Sequence, residues 1–475
     1  MTKKARRNSI YKILIGYILG TFLGICGGSA LFLHTWYILP HLNISLSIIV
    51  VVTSLILSAH AIFTLIWMLY TWENPMKAKE CQSPHIFEHS KISFSAIIPA
   101  RNEVKVIGDT IKAVSNINYP EELKEIIVVC RYDDENTIQE VRKTRRKIGK
   151  TNIRLLIYYD LPINKPHCLN IGLAYSKKQV ITIFDAEDQP HRDIYNVVNT
   201  LMLTENADVV QSGVQLMNYR SHWFSSINVL EYFFWFKSGL HFFSKIGNVT
   251  PLGGNTVFFK KECLDKVKGW DENCLTEDAD IGIRLVNQGI NTRIVYDEQH
   301  VTKEETPDSI SAFIKQRTRW NHGFLQILLK GDWQFLPTSR QRIMALYILI
   351  APMMQIGYLI YLPFGIWIAT HSRLPMLVSL LSFMPAYMFI LQITAYFVGV
   401  REFVKTYSLK YSLWDSLKII IVFLPYQIMV TIASFRAMSH LILSQNIWEK
   451  TNHVNAHREI NIGFLFPNYT INYVG

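Results

Sequence analysis

Apolar residues are distributed very unevenly along this chain, and that distribution limits the possible folds more than any other feature. Runs long enough to cross a bilayer lie near both ends, whereas residues 92–336 read as an ordinary water-soluble segment. A helical crossing needs about 20 predominantly apolar residues, and a backbone in lipid must satisfy its own hydrogen bonds, so such runs are read as helices. The chain of 475 residues is long enough for roughly two or three domains.

The first run, residues 13–33, follows Lys3, Lys4, Arg6 and Arg7; a second, residues 46–69, follows almost at once. The first is longer than the apolar core of a signal peptide, so a membrane hairpin is expected and cleavage is not. Between the runs, residues 34–45 carry no Lys or Arg, while Lys77 and Lys79 follow the second. The positive-inside rule then puts the N-terminus and everything after Lys77 in the cytoplasm. Two further runs, 343–369 and 374–398, are preceded by Arg340 and Arg342 and followed by Arg401, Lys405 and Lys410, so that pair leaves the cytoplasm and returns. The last stretch, 417–443, has basic flanks and contains Pro425. A single span puts the tail outside; a Pro-broken re-entrant or interfacial segment keeps it inside, and the cytoplasmic tail is the expectation. The expected divisions are an N-terminal hairpin (1–75), a cytoplasmic domain (90–336), a C-terminal membrane region (340–445) and a tail (446–475). An integral, multi-pass protein of the plasma (inner) membrane is expected.

Net charge is +11, and the Lys and Arg gather beside the apolar runs instead of forming one basic tail. An anionic lipid surface is therefore the expected partner, and nucleic acid is not. The six cysteines, Cys26, Cys81, Cys130, Cys168, Cys263 and Cys274, are scattered without metal-ligand spacing. That scatter excludes a disulfide framework or a zinc site and fits a reducing compartment.

Within the soluble segment, short β-branched runs at 94–98, 125–130, 153–158, 180–184, 207–211 and 292–296 alternate with helical stretches. The pattern predicts an α/β domain with a mostly parallel sheet covered on both faces. Ligands of such sheets bind beyond the carboxyl ends of the strands, where residues 99–103, 132–134 and 185–188 fall.

Three clusters carry chemistry. Asp185-Ala186-Glu187-Asp188 follows the apolar run 180–184, and two carboxylates plus substrate phosphates suffice for a hard cation such as Mg²⁺ or Mn²⁺. A solvated acidic turn is the alternative. Thr276-Glu277-Asp278-Ala279-Asp280 opens a helix at residues 281–287. Its acids suit a first helical turn, and one carboxylate also suits a general base; both roles can hold together. Gln316-Arg317-Thr318-Arg319-Trp320 lies in a helix after Pro307, with Gln316, Arg319 and Trp320 close to one face. Arg can neutralise a leaving diphosphate and an indole can stack on a sugar ring. An amphipathic helix at the lipid headgroups is the alternative.

Taken in order, these clusters resemble the family 2 glycosyltransferases, specifically the membrane synthases related to cellulose, chitin and hyaluronan synthases. Those enzymes carry an Asp-x-Asp metal motif, a Thr-Glu-Asp base and a Gln-x-x-Arg-Trp motif in this sequence. The resemblance covers nearly the whole chain and implies a GT-A, Rossmann-like cytoplasmic domain set between transmembrane helices. By the same resemblance, Pro99, Ala100 and Glu103 belong to the nucleotide-binding turn and Asp133 and Asp134 contact uridine. Lys165-Pro166-His167-Cys168-Leu169-Asn170 lies under the donor diphosphate, with Gln316 and Arg319 on the same side. Gly253-Gly254-Asn255 resembles the turn lining the acceptor channel, and Trp320, Gly254 and Asp280 are implied acceptor contacts. Glu277 and Asp278 form the catalytic pair, Asp278 being the base. Trp448-Glu449-Lys450-Thr451-x-His453 resembles a cytoplasmic tail motif of bacterial relatives.

Two departures bear on the reading. Glu187 stands where the synthases usually carry the second Asp, and Asp188 follows it, so either is the second metal ligand beside Asp185. The Gly253-Gly254 turn also lacks the residues that follow it in cellulose synthases. The implied activity is an inverting hexosyl transfer from a UDP-linked sugar to a growing glycan, possible accessory subunits included. Transfer to a lipid acceptor, as in ceramide glucosyltransferases, is the alternative. A transporter with a regulatory soluble domain is a remote third, since no charged residue sits mid-span.

Overall fold

A computed structural model describes residues 43–72, 75–371 and 376–445, together with 449, 455, 457 and 458. The expected first span at 13–33 lies outside the described residues, as do Trp448, Lys450, Thr451 and His453 of the tail motif.

The soluble segment is built on a seven-stranded sheet, β1 (Phe94–Ala100), β2 (Lys124–Arg131), β3 (Ile153–Tyr158), β4 (Val180–Ile183), β5 (Val209–Ser212), β7 (Val257–Lys260) and β8 (Thr292–Val295). A two-stranded accessory sheet joins β6 (Val214–Leu216) to β9 (Thr302–Glu304). The order of the main sheet is β3-β2-β1-β4-β7-β5-β8. Pairings are parallel except at β7, which runs antiparallel to both β4 and β5. Central strands read as continuous apolar runs because both faces are covered. Along β1, Ala96 and Ile98 enter one core with Val106, Ile111 and Val141, while Ile97 enters the opposite core with Leu169, Ile281 and Leu285. Each such side chain contributes about 1.5–3 kcal/mol on burial.

Strand order reverses between β1 and β4, so a crevice opens beyond their carboxyl ends. Because Ile97 pairs with Ile183, Pro99 and Ala100 at the end of β1 lie beside Asp185 just past β4. The six anticipated strands all form. The antiparallel β7 and the short β6 and β9 were not anticipated: β6 and β9 have three residues each, and β7, Val-Phe-Phe-Lys, carries a single β-branched residue.

Among the described residues three helices are long and apolar enough to cross a membrane: Ile48–Leu69, Met376–Thr406 and Leu413–Ile442. The number rises to four if Ser339–Leu349 and Ala351–Trp367, bent by 55° to each other, form one span. Leu413–Ile442 is continuous through Pro425, which corrects the Pro-broken alternative. Proline removes one backbone bond, but the next residue is held by tertiary contacts: the Tyr426 hydroxyl donates to Glu231 at 2.6 Å and its ring meets Phe313 at 5.2 Å. This helix lies along the amphipathic helix Ile310–Lys330 of the soluble segment, with Asn321 donating to Ser434 and His322 near His440. Beyond it, Glu449 pairs with Arg436 at 2.6 Å, and Asn455 and Arg458 bond to residues 105, 109, 110, 187, 188 and 305 of the α/β domain.

Candidate active site

A cavity of about 560 Å³ begins at the β1/β4 crevice and continues between the apolar helices. Its inner wall carries Pro99, Ala100, Glu103, Lys165, Asp185, Glu187, Gly254, Glu277, Asp278, Gln316, Arg319 and Trp320. The structure thus brings together twelve positions that the sequence singled out separately.

Each is delivered by a local device. Asn164 caps the helix Lys165–Tyr175, accepting from the His167 amide at 3.0 Å, and so points Lys165 from the first turn into the crevice. The Lys165 ammonium lies 2.5 Å from Asp185 Oδ1 and donates to the Gly254 carbonyl at 2.9 Å. Burial opposes its charge, but Asp185 and Glu277 outweigh that penalty and hold it protonated, above the usual lysine range. Helix Glu277–Asn287 begins one residue after Thr276, which places Glu277 and Asp278 in its first turn. Burial raises the Glu277 carboxyl to about 7, Lys165 opposing and Asp278 adding to the shift. Burial also raises Asp278, opposed by the Ala279 amide, Lys165 and Arg319.

Glycines set two close approaches. A Cβ on Gly254 would stand 3.2 Å from Asp278 Oδ2 and 3.4 Å from Lys165 Nζ, so a side chain there would press on the carboxylate and shift it slightly. Gly323, in the helix Ile310–Lys330, faces the Thr276 side chain at less than normal contact distance for any Cβ.

The two arginines of the Gln-Arg-Thr-Arg-Trp cluster part ways. Arg317 is a strut: it donates to Asn228 at 2.7 Å, pairs closely with Glu231, and lies 4.6 Å over the Trp320 ring. Arg319 turns into the cavity, where its Nε is buried with no hydrogen-bond partner. A buried guanidinium donor left open in this way suits an oxyanion such as a diphosphate.

Asp188, Asp280, Asp133 and Asp134 do not line the cavity. Asp188 is fully buried behind its own turn, accepting from the Asp185 amide at 2.8 Å and from Asn255 at 2.9 Å. Of the two acids left open as second ligand, only Glu187 therefore faces the cavity. The Asp280 placement corrects the expectation of an acceptor contact: it is 1% exposed and held by Arg284 at 2.7 Å and Lys330 at 2.6 Å, a buried network closing the far side of its helix. Two residues beyond Asp278 on a helix is about 200°, the opposite face. Asp134 caps the helix Glu135–Ile148 and accepts from the Asn102 amide, tying two strand-end turns together. Asp133 is clamped between Arg131 at 2.6 Å and Arg101 at 3.2 Å.

Asp185 and Glu187 fit a divalent cation. Burial, then Asp185 and Glu304, push the Glu187 carboxyl well above the ordinary range, a repulsion that a bound cation would relieve. Among the described residues no three His, Cys, Asp or Glu side chains converge at ligating distance. The remaining positions would fall to phosphate and water, as Mg²⁺ and Mn²⁺ accept.

Several wall residues were not foreseen: Glu231, Tyr232, Glu304 and Glu305 near the carboxylates, and Thr64, Tyr347, Gln355, Gln392 and Gln427 between the apolar helices. The three glutamines had a legible signal, since amides inside membrane-length runs are costly unless they face an interior. Gln355 donates to Gln427 Oε1 at 2.7 Å, and Thr64 and Trp67 both bond to the Tyr347 hydroxyl.

Residues 91–323 match the family model described as glycosyltransferase like family 2. The probable glycosyltransferase YdaM of Bacillus subtilis is 27% identical over 77% of this chain and 87% of its own length. Poly-beta-1,6-N-acetyl-D-glucosamine synthase of Staphylococcus epidermidis is 25% identical over 55% of this chain and 61% of that protein. Beta-monoglucosyldiacylglycerol synthase of Nostoc is 24% identical over 52% of each chain. A mannosyltransferase from Pyrobaculum calidifontis, solved with GDP-Man and Mn²⁺, shares the fold at a TM-score of 0.54 and 18% identity, covering 80% of this chain and 99% of the other. With the GT-A sheet, the converging carboxylates and these likenesses together, residues 91–323 are a glycosyltransferase family 2 domain, flanked by helices able to cross a membrane.

Proposed function

We propose that this enzyme is an inverting, processive hexosyltransferase that extends a polysaccharide from a UDP-linked sugar at the cytoplasmic face of the membrane. The observation that carries this reading is the single cavity running from Asp278 and Asp185 to Gln355, Gln392 and Gln427 between the apolar helices. Amides and aromatic rings, here with Tyr232, Trp320, Tyr358 and Phe389, are the side chains that bind sugar hydroxyls and stack on sugar faces. An acyl chain has no use for three amides.

In the proposed reaction Asp278 takes the proton from the acceptor hydroxyl as that oxygen attacks the anomeric carbon. The new C–O bond forms on the face opposite the departing diphosphate, the bond from carbon to phosphate oxygen breaks, and the configuration inverts. Lys165 and Arg319 hold the leaving group, and Trp320 holds the acceptor sugar against the donor. A divalent cation at Asp185 and Glu187 would supply further charge neutralisation on the diphosphate. Glu277, protonated near neutral pH, adds little negative charge to the site that the diphosphate enters.

Transfer to a lipid acceptor is the second reading; the apolar side of the cavity, with Leu359 and Leu362, and the likeness to beta-monoglucosyldiacylglycerol synthase favour it. Incubating purified protein with labelled UDP-sugars, Mn²⁺ and lipid extract separates the two. Products of many sugar units are expected; a single sugar on an organic-soluble lipid would overturn processivity.

A further inference from the structure

The chain's C-terminal segment reaches the catalytic centre from the side away from the cavity. Arg458 Nη2 donates to the carbonyl of Glu187 at 3.1 Å, to that of Asp188 at 2.9 Å, and to the Thr110 hydroxyl at 2.8 Å. Thr110 in turn donates to the carbonyl of Ala186 at 2.7 Å. Three consecutive carbonyls of the Asp185-Ala186-Glu187-Asp188 turn are therefore fixed from behind by one arginine and one threonine. Next to it, the Asn455 amide donates to Glu305 at 3.1 Å, its side chain meets Asp109 at 3.3 Å, and His457 Nδ1 lies 3.8 Å from Glu305. Glu449 ties the start of the segment to Arg436.

The orientation of these peptide planes decides where the Asp185 and Glu187 carboxylates point. Without a partner, carbonyls buried beside so many acids would turn toward any other donor, and the turn would lose its single geometry. A neutral partner could satisfy them, but a guanidinium also sets a positive charge behind the acids, a charge-assisted contact about twice as strong as a neutral one. Nothing in the local sequence marks this role, since Arg458 lies beyond the last apolar helix.

We propose that Arg458, together with Thr110, is a positioning residue that latches the C-terminal tail onto the metal-binding turn and presets its affinity for a divalent cation. The inference rests on Asp185 and Glu187 being the metal ligands. Outer partners that orient metal ligands are typically worth about 10- to 100-fold in metal affinity.

The test uses the full chain in detergent. Mn²⁺ binding without donor is followed by the loss of the free-ion electron paramagnetic resonance signal, alongside activity as a function of Mn²⁺ and the thermal midpoint. Arg458→Ala is expected to weaken Mn²⁺ binding about 10-fold or more, to raise the Mn²⁺ needed for half activity in parallel, and to keep most of the rate at saturating Mn²⁺. Arg458→Lys recovers part of the affinity. Thr110→Val, which keeps the volume and removes the hydroxyl, shifts affinity in the same direction and supplies the answer if Arg458→Ala does not fold. The double variant falls short of the sum of the singles, because both act on one turn. Unchanged Mn²⁺ affinity in Arg458→Ala or, where that variant does not fold, in Thr110→Val overturns the latch, and so does strict additivity. Absence of Mn²⁺ binding in the unaltered protein, both alone and with UDP present, overturns the metal assignment itself, and the latch with it.

Discussion

Gly323→Ala separates catalytic geometry from stability. The residue lies mid-helix in Ile310–Lys330, where alanine would ordinarily stabilise by about 1 kcal/mol. A Cβ at this position would sit 2.6 Å from Thr276 Cγ2 and 2.7 Å from Thr276 Cβ, where ordinary contact is 3.4–4 Å. Rotating the Thr276 side chain moves its Cγ2 and Oγ1 but not its Cβ, so no rotamer relieves the overlap. The loop carrying Thr276 must instead retreat from the helix by about 1 Å, and a misplacement of that size costs roughly 100-fold in rate. Overpacking costs about 1–3 kcal/mol, against which the helix preference is set, so stability changes by no more than about 2 kcal/mol. The proposed base and its neighbour, Asp278 and Glu277, follow Thr276 directly and move with it. Initial rates of sugar transfer and a thermal midpoint, measured on the same detergent preparation, give both quantities. Thr276→Gly in the Gly323→Ala background removes the offending Cβ; since the Thr276 side chain makes no capping hydrogen bond, little is lost and at least tenfold of the rate returns. Turnover within about threefold of the unaltered enzyme would refute the reasoning.

Asp278→Asn removes the proposed base and is expected to lower turnover by 100- to 10,000-fold with UDP binding and folding intact; normal activity would discard the assignment. Arg317→Ala breaks the partly buried pair with Glu231 and the bond to Asn228 and costs roughly 1–3 kcal/mol of stability, whereas Arg319→Ala keeps the thermal midpoint and loses rate; the same outcome for both would refute the division of labour. Between pH 4.5 and about 7 native Glu277 keeps a proton that the unfolded chain has released, so the stability it contributes is complete below 4.5 and is lost as pH rises to 7. Glu277→Gln should flatten that decline in thermal midpoint, and identical slopes in the two proteins would refute the shift. Removing divalent metal with a chelator is expected to weaken UDP binding at least tenfold and added Mn²⁺ to restore it, as calorimetry can check; binding indifferent to chelator counts against the metal.

The sequence made the scaffold legible wherever its signals were long. Membrane-length runs and clustered β-branched residues are plain in the sequence, Asp185 and Asp278 follow from their places just past a strand and at a helix start, and Lys165 from the family resemblance. It was less informative where the deciding contact is distant. Asp278 and Asp280 carry the same functional group two residues apart, yet one faces the cavity and the other Lys330, and only the angle between them separates those fates. Arg317 and Arg319 both reach the cavity wall, yet Arg317 is engaged by Glu231 and Asn228, contacts that lie far away in sequence. Asp134, read as a nucleotide contact, caps a helix, because a carboxylate just before a helical turn serves free amides equally well. The glutamines at 355, 392 and 427 stood in plain view within apolar runs, but their convergence depends on the packing of three helices.

Along the cavity wall carboxylates outnumber Lys and Arg, which is a poor environment for an anionic donor taken alone. The imbalance makes physical sense if negative charge is kept there to recruit a cation together with the nucleotide, while burial leaves Glu277 protonated near neutrality and limits the excess. Lys165 supplies only part of the missing charge: Asp185 offsets much of it and the Gly254 carbonyl takes a second ammonium proton, which leaves one donor for a phosphate oxygen. Arg319, with an open donor, can supply one contact but not the double charge of a diphosphate. On the proposed reading, the charged end serves donor plus metal, and the amide-lined end a neutral, hydroxyl-rich chain. Trp320 stands where the two meet, steadied by Arg317 on its face and Tyr232 at 6.3 Å. A neutral product leaving that junction meets amides and rings, whereas the departing diphosphate meets Lys165 and Arg319. Under the proposed function, that difference in lining would give the two products separate routes, the condition a repeated transfer requires.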